Sequence, residues 1–349
     1  VGEALQARPI VELIRSERPA VQIAFTYYSP SAERFARSLS VDFSDYLPLD
    51  NVLDVDAALD ALAPSALVFS KLDVWPVLAE RAAARGIPLG LVSATLSARS
   101  SRRSVLARAL LHDAYARLDA VGAISADDAE RLVGVGVRPN VIQITGDTRY
   151  DEVWRTAANA ADAFPELAGR SICVAGSTWP TDERVILPGW LATNLRLIVA
   201  PHEPTPTHVL SIETWAASHK VPSSRLSSGS TTADLVIVDS VGVLARLYAR
   251  ATVAYVGGGF HSAGLHSVLE PSAFGVPVLF GPRHTGSRDA GLLLAAGGGF
   301  VVKSAAEFRE RLSADPRAAG AAAKEVVRQG LGAARRSVDL VERLMVGRA

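Results

Sequence analysis

The chain has 349 residues, a length that points to two domains rather than one. Basic and acidic residues number 36 each, so no overall field draws in nucleic acid, while 49% hydrophobic content supplies a large core. The single cysteine, Cys173, excludes a disulfide framework and a multi-cysteine zinc site, and the 7 histidines show no metal-binding spacing.

Strands and helices alternate along the whole chain, the pattern of an α/β protein with largely parallel sheets. The first half reads as helix 3–17, strand 21–25, helix 31–39, strand 43–47 and helix 55–62. Strand 66–69, helix 74–85, strand 88–92, helix 104–116, strand 119–124, helix 126–134 and strand 141–144 follow. Residues 146–168 carry no strand pattern, and the connection between domains is placed at 151–170. The second half reads as strand 171–175, helix 180–193, strand 195–199, helix 205–218 and a Ser/Thr/Gly-rich loop over 223–232. Strand 234–238, helix 241–249, strand 252–256, helix 265–274, strand 276–280, helix 287–295 and strand 299–302 complete it, before a helical tail over 305–347. Two doubly wound halves place ligands at the carboxyl ends of their strands.

The densest signal lies in the second half. A hydrophobic strand ending at Val256 runs into Gly257-Gly258-Gly259-Phe260-His261, then Gly264-Leu265-His266-Ser267-Val268-Leu269-Glu270-Pro271. Glycines after a strand let backbone N–H groups approach a ligand, and a carboxylate one turn into the next helix can accept from the hydroxyls of a sugar. Phe274-Gly275-Val276-Pro277-Val278-Leu279-Phe280-Gly281-Pro282 adds a second strand-end turn. Ser177 and Thr178, after Gly176, offer hydroxyls and free N–H groups at a helix start, which suit a phosphate. His202, in Pro201-His202-Glu203-Pro204, falls on the same strand edge.

In the first half, Glu3 stands at the start of an amphipathic helix. From the residues alone it is either a capping carboxylate or a general base. Asp73, in Lys71-Leu72-Asp73-Val74-Trp75-Pro76, is an N-cap or a group at a strand end, and the two roles can coexist. Six arginines and no acid lie between Arg81 and His112. The densest part, Arg99, Arg102 and Arg103 among serines, suits phosphates or a solvated face. No aromatics interleave, which argues against a single-strand nucleic-acid groove.

The motifs also come in a recognisable order. Val1-Gly2-Glu3, Phe25-Thr26-Tyr27-Tyr28-Ser29-Pro30-Ser31, Tyr46-Leu47-Pro48-Leu49-Asp50 and Asp73-Val74-Trp75-Pro76 lead. Ala94-Thr95-Leu96-Ser97-Ala98-Arg99-Ser100, Thr145-Gly146-Asp147-Thr148-Arg149-Tyr150-Asp151, Ala175-Gly176-Ser177-Thr178 and the Gly257–Pro282 block follow. The series resembles the 3-deoxy-D-manno-octulosonic acid (Kdo) transferase family of lipopolysaccharide synthesis, over nearly the whole chain.

That resemblance implies a GT-B glycosyltransferase, two Rossmann-like doubly wound domains facing a crevice. Residues 1–150 would receive a lipid A precursor, and residues 171–349, tail included, would bind CMP-Kdo. It implies inverting, metal-independent transfer with no cofactor, CMP-Kdo being a substrate. It implies work at the cytoplasmic face of the inner membrane, with an anchor expected upstream of Val1. The family's base falls on Glu3 and its second carboxylate on Asp73. Its donor-binding positions fall on Ser177, Thr178, His202, Gly258, Gly259, Leu265, Ser267 and Glu270. Arg99, Arg102 and Arg103 are expected to meet the acceptor or the membrane surface. Six positions depart from the family pattern. Ser267 stands where the family has asparagine, Pro201-His202-Glu203-Pro204 where it has Pro-Arg-His-Pro, Ser93-Ala94-Thr95-Leu96-Ser97 where it has Asn-Ala-Arg-Leu-Ser, and Lys71 where it has an acid. A GT-B transferase using another nucleotide sugar, and a catalytically silent sugar- or lipid-binding protein, are the alternative readings.

Overall fold

A computed structural model describes residues 6–98, 100–160, 163–167, 169–229 and 232–346. It divides into two compact units. One runs to Glu152 and takes in the chain from Gly330 onward, and the other is Val153–Gln329.

In the first unit the order is α1 (Arg8–Glu17), β1 (Ala24–Tyr27), α2 (Glu33–Ala36), β2 (Phe43–Tyr46), α3 (Val52–Leu62) and β3 (Leu67–Ser70). Then come α4 (Pro76–Ala84), β4 (Leu89–Ala94), α5 (Val105–Ala116), β5 (Ala120–Ala123), α6 (Ala126–Val133) and β6 (Ile142–Ile144). Strands β3, β4, β5 and β6 form a parallel sheet in that order, and β1 pairs with β2. Every residue of β4 is buried, as expected for an inner strand covered on both faces. Helix starts follow local chemistry. Asn51, Ser104 and Ser125 cap α3, α5 and α6 through their side-chain oxygens. Asp50 accepts from Val77 N and Leu78 N at the start of α4, where Pro76 lacks an N–H to satisfy.

Helix α7 (Arg149–Asn159) occupies the stretch read as an unstructured connection, and the boundary between units falls inside it. The second unit continues with β7 (Ile172–Thr178), α8 (Pro180–Trp190), β8 (Arg196–Pro201), α9 (Pro206–Ser218), β9 (Ser223–Arg225) and β10 (Leu235–Ile237). It closes with α10 (Leu244–Leu247), β11 (Val253–Val256), α11 (Leu269–Ala273), β12 (Val278–Phe280), α12 (Arg288–Ala296), β13 (Gly299–Val301), α13 (Ala305–Leu312) and α14 (Arg317–Gln329). Its seven strands are all parallel, in the order β13-β12-β11-β7-β8-β10-β9. The chain starts at β7, builds outward through β8, then crosses back to β11 and builds the other way. The switch point therefore lies between β7 and β11.

Three further elements differ from the sequence reading. Strand β9 lies inside the polar run read as a loop, because an edge strand carries exposed Ser and Arg rather than an apolar run. Helix α11 is five residues long, since the preceding loop spends its backbone on itself: His266 N donates to the Gly257 carbonyl at 3.1 Å. The last part of the tail, α15 (Ala333–Val346), belongs with the first unit and not with residues 171–349. Val338, Leu340 and Val341 share a core with Ile10 of α1 and Val92 of β4. Asp151 fixes the entry to α15 by accepting from Gly332 N and Ala334 N.

Candidate functional site

At the switch point the loops after β7 and β11 meet backbone to backbone. Gly257 N donates to the Gly176 carbonyl at 2.8 Å. A Cβ on Gly257 would stand 2.1 Å from the Ser177 carbonyl oxygen, so only glycine permits this approach. Gly258 follows with φ +92°, a conformation that side chains resist. Gly259 continues the contact to the next strand end, accepting from Arg283 N at 2.9 Å.

One carboxylate holds this arrangement. Asp182, fully buried in the first turn of α8, accepts from Trp179 N at 2.9 Å, Gly258 N at 2.9 Å, Phe260 N at 3.3 Å and Tyr255 Oη at 2.7 Å. Burial first, and then Asp182, push the Tyr255 hydroxyl well above its ordinary value, so it stays a donor. The neighbouring Glu183 is also buried and takes the Thr178 hydroxyl at 2.8 Å.

An aromatic cluster of one indole and three imidazoles lies on the same strand ends. Trp179 stacks on His261 at 4.0 Å and on His202 at 4.8 Å, and His202 lies 4.4 Å from His266. The Trp179 indole donates to His266 Nε2 at 3.4 Å, which requires a lone pair there. Burial, then the neighbouring His202, lowers the His266 imidazole, in keeping with that neutral form. Ala263 N donates to His261 Nδ1 at 3.1 Å, which leaves Nε2 as that ring's donor in its neutral form.

Glu270 is the second residue of α11, and no hydrogen bond to its carboxylate is seen among the described residues. Burial raises it to about 7. Its folded value lies above the ordinary 4.5, so the fold disfavours the ionised carboxylate. The residue costs no stability below that ordinary value, and the penalty grows as pH rises through 7. The full penalty is about 3 kcal/mol. A group that donates hydrogen bonds to the carboxylate, such as a vicinal diol, relieves it.

The structure brings Ser177, Thr178, His202, Gly258, Gly259 and Glu270 to one strand edge of the second unit. The Thr178 hydroxyl is committed to Glu183, so of the two residues the half-buried Ser177 carries the hydroxyl left for a ligand. Leu265 packs on the core beside β11 and β12, and Ser267 is exposed. Cys173 is buried, and burial pushes its thiol up, which removes it as a nucleophile. In sequence Asp182 and Glu183 look like any acidic first turn of a helix, and nothing local joins Trp179 to histidines far apart in the chain.

In the first unit Asp73 pairs with Arg102 at 3.3 Å. Arg102 also donates to the Leu72 carbonyl and lies 3.4 Å from the Tyr115 hydroxyl, so its guanidinium is held within the unit. Arg81 and Arg85 pair with Asp56, and Arg85 also with Asp60, so the acids missing from the basic run in sequence are supplied by α3. Glu3, Arg99 and the Arg103 side chain lie outside the described residues. Among the described residues no group of three or more His, Cys, Asp or Glu is placed to hold a metal ion. None of their helices is long and apolar enough to cross a membrane.

Residues 1–152 match the family model 3-Deoxy-D-manno-octulosonic-acid transferase (kdotransferase). The Kdo transferase of Haemophilus influenzae is 27% identical over 98% of this chain and 84% of its own length. That of Bordetella pertussis is 27% identical over 98% of this chain and 85% of its own length. That of Chlamydophila psittaci is 29% identical over 86% of this chain and 72% of its own. The chain is thus similar to Kdo transferases over nearly its whole length. Solved structures give the fold. A UDP-GlcNAc 2-epimerase from Neisseria meningitidis, bound to UDP-GlcNAc, superposes with TM-score 0.62 over 95% of this chain and 96% of its own at 15% identity. The same enzyme type from Methanocaldococcus jannaschii gives TM-score 0.62, 94% of this chain, 96% of that chain and 15% identity. The chain therefore has the GT-B fold, each unit a Rossmann-like α/β layer.

Proposed function

We propose that this protein transfers Kdo from CMP-Kdo to a lipid A precursor, at the cytoplasmic face of the inner membrane, without a metal or cofactor. Two strand-end loops meeting at the β7/β11 switch point, in a chain similar to Kdo transferases, support this reading. In the reaction the acceptor hydroxyl oxygen attacks the anomeric carbon of Kdo from the face opposite CMP. The new C–O bond forms as the bond to the phosphate oxygen breaks, and inversion results. Glu3 takes the hydroxyl proton, and CMP leaves with the electron pair of the broken bond. The Ser177 hydroxyl, the backbone N–H groups of the two loops and the histidine cluster bear the charge that develops on the phosphate. Glu270 receives the ribose hydroxyls. Asp73 and its Arg102 partner lie on the acceptor side.

A second reading, transfer from a different nucleotide sugar, is favoured by one observation. His202 stands where the resemblance expects a phosphate-binding arginine, so the donor's phosphate meets a weaker cation.

Calorimetric titration with CMP and UDP at neutral pH separates the two. CMP is expected to bind at least about ten-fold tighter than UDP. Binding also releases part of a proton from Glu270, seen as a buffer-dependent heat. Glu270→Gln should remove that proton release and weaken CMP by roughly 1.5–3 kcal/mol, the worth of a charge-assisted pair. Equal or tighter binding of UDP overturns the donor assignment.

A further inference from the structure

The turn Gly176-Ser177-Thr178 has a conformation that its own residues disfavour. Ser177 has φ +52°, in the left-handed region where serine is strained. The pairing of β7 with β8 loses register between Gly176 and Thr178. Such strain persists only where surrounding groups fix it. The fixing groups are visible. Thr178, fully buried, donates its hydroxyl to Glu183 Oε1 at 2.8 Å. Both Glu183 oxygens face His208 Nε2, at 2.9 and 3.0 Å. The other ring nitrogen, Nδ1, lies 3.2 Å from the Glu203 carbonyl oxygen.

The proton inventory follows from these partners. A carbonyl oxygen only accepts, so His208 Nδ1 carries a hydrogen. Nε2 sits at hydrogen-bond distance from a carboxylate, so a second proton lies between ring and carboxylate. The pair holds one proton more than a neutral imidazole beside an ionised glutamate. Backbone bonds extend the unit. His202 N donates to the Thr178 carbonyl at 2.9 Å, and His208 N donates to Thr205 Oγ1 at 3.3 Å.

We propose that Glu183 and His208 form a proton-sharing pair that positions the Ser177–Thr178 turn to receive the donor's phosphate. This rests on the donor reading above. Both are positioning residues, acting through Thr178. The groups facing the pair are the Thr178 hydroxyl from β7 and the Glu203 carbonyl from the loop after β8. Asp182, next to Glu183, is committed to the glycine loop.

Amide hydrogen exchange and CMP calorimetry on Glu183→Gln and His208→Ala test this. His208→Gln, which keeps one donor, substitutes where the alanine variant fails to fold. Peptides covering 176–179 should exchange about ten-fold faster in the variants, while peptides of β12 and β13 stay as in the parent. CMP affinity should fall about ten-fold. Unchanged exchange at the turn overturns the proposal. So does exchange that quickens equally in β12 and β13, which is the mark of general fold damage. If the parent protein binds no CMP, the donor reading fails, and the exchange comparison still decides whether the pair holds the turn.

Discussion

Replacing Glu3 with alanine is expected to lower the rate of sugar transfer by about 10²–10⁴-fold while CMP affinity changes by less than about two-fold. A general base acts on the acceptor hydroxyl in the transition state and adds little to donor binding in the ground state. Gln6 is buried, and its carbonyl accepts from Thr148 Oγ1 at 2.7 Å. Its side-chain amide reaches Asp147 Oδ1 at 3.5 Å, and Arg149 clamps that same carboxylate. Ser93, at the end of β4 with φ +50°, completes the group at 3.1 Å from Thr148 Oγ1. These partners lie at the carboxyl ends of β4 and β6, where open α/β sheets present reacting groups. Steady-state rates and calorimetry on the purified variant check both halves. A near-parental rate contradicts the assignment.

Asp182→Asn is expected to weaken CMP binding by more than about ten-fold and to lower stability by about 2–4 kcal/mol. The carboxylate accepts from three backbone N–H groups and one tyrosine hydroxyl, and no other acceptor replaces it in that buried position. Asparagine keeps one oxygen and turns an NH₂ group toward the remaining donors, leaving them unpaired. The loss falls on Gly258 and Phe260, so the glycine loop moves while the hydrophobic core of the unit, with Cys173, Leu197 and Val253, remains. Denaturant titration reads the stability change, and calorimetry reads the affinity. A folded variant that binds CMP as the parent does would show that the loop is held by other means.

The strands of both units were legible because parallel strands covered on both faces are continuous apolar runs, as Ile172–Ala175 and Leu235–Val238 are. Edge strand β9 and helix α7 escaped notice because Ser223–Arg225 is polar and Arg149–Asn159 carries its apolar residues sparsely. The glycine loop and Glu270 were legible from local spacing alone. Asp182 and Glu183 were not, because an acidic pair after Pro180 is what any helix start carries, and their partners are 73 to 78 and 25 residues away. The same limit applies to the basic run, where Arg81 and Arg85 find their acids on α3. The placement of α15 depends on the core it shares with Ile10 and Val92, which no local pattern announces.

The central claim is that this chain moves Kdo from CMP-Kdo to a lipid A precursor. The most direct test incubates the purified protein with that acceptor and either CMP-Kdo or UDP-N-acetylglucosamine, and reads the product by mass spectrometry. The account predicts an acceptor heavier by Kdo, formed only from CMP-Kdo and absent with Glu3→Ala. Transfer from the uridine donor, or no transfer from CMP-Kdo, would contradict it.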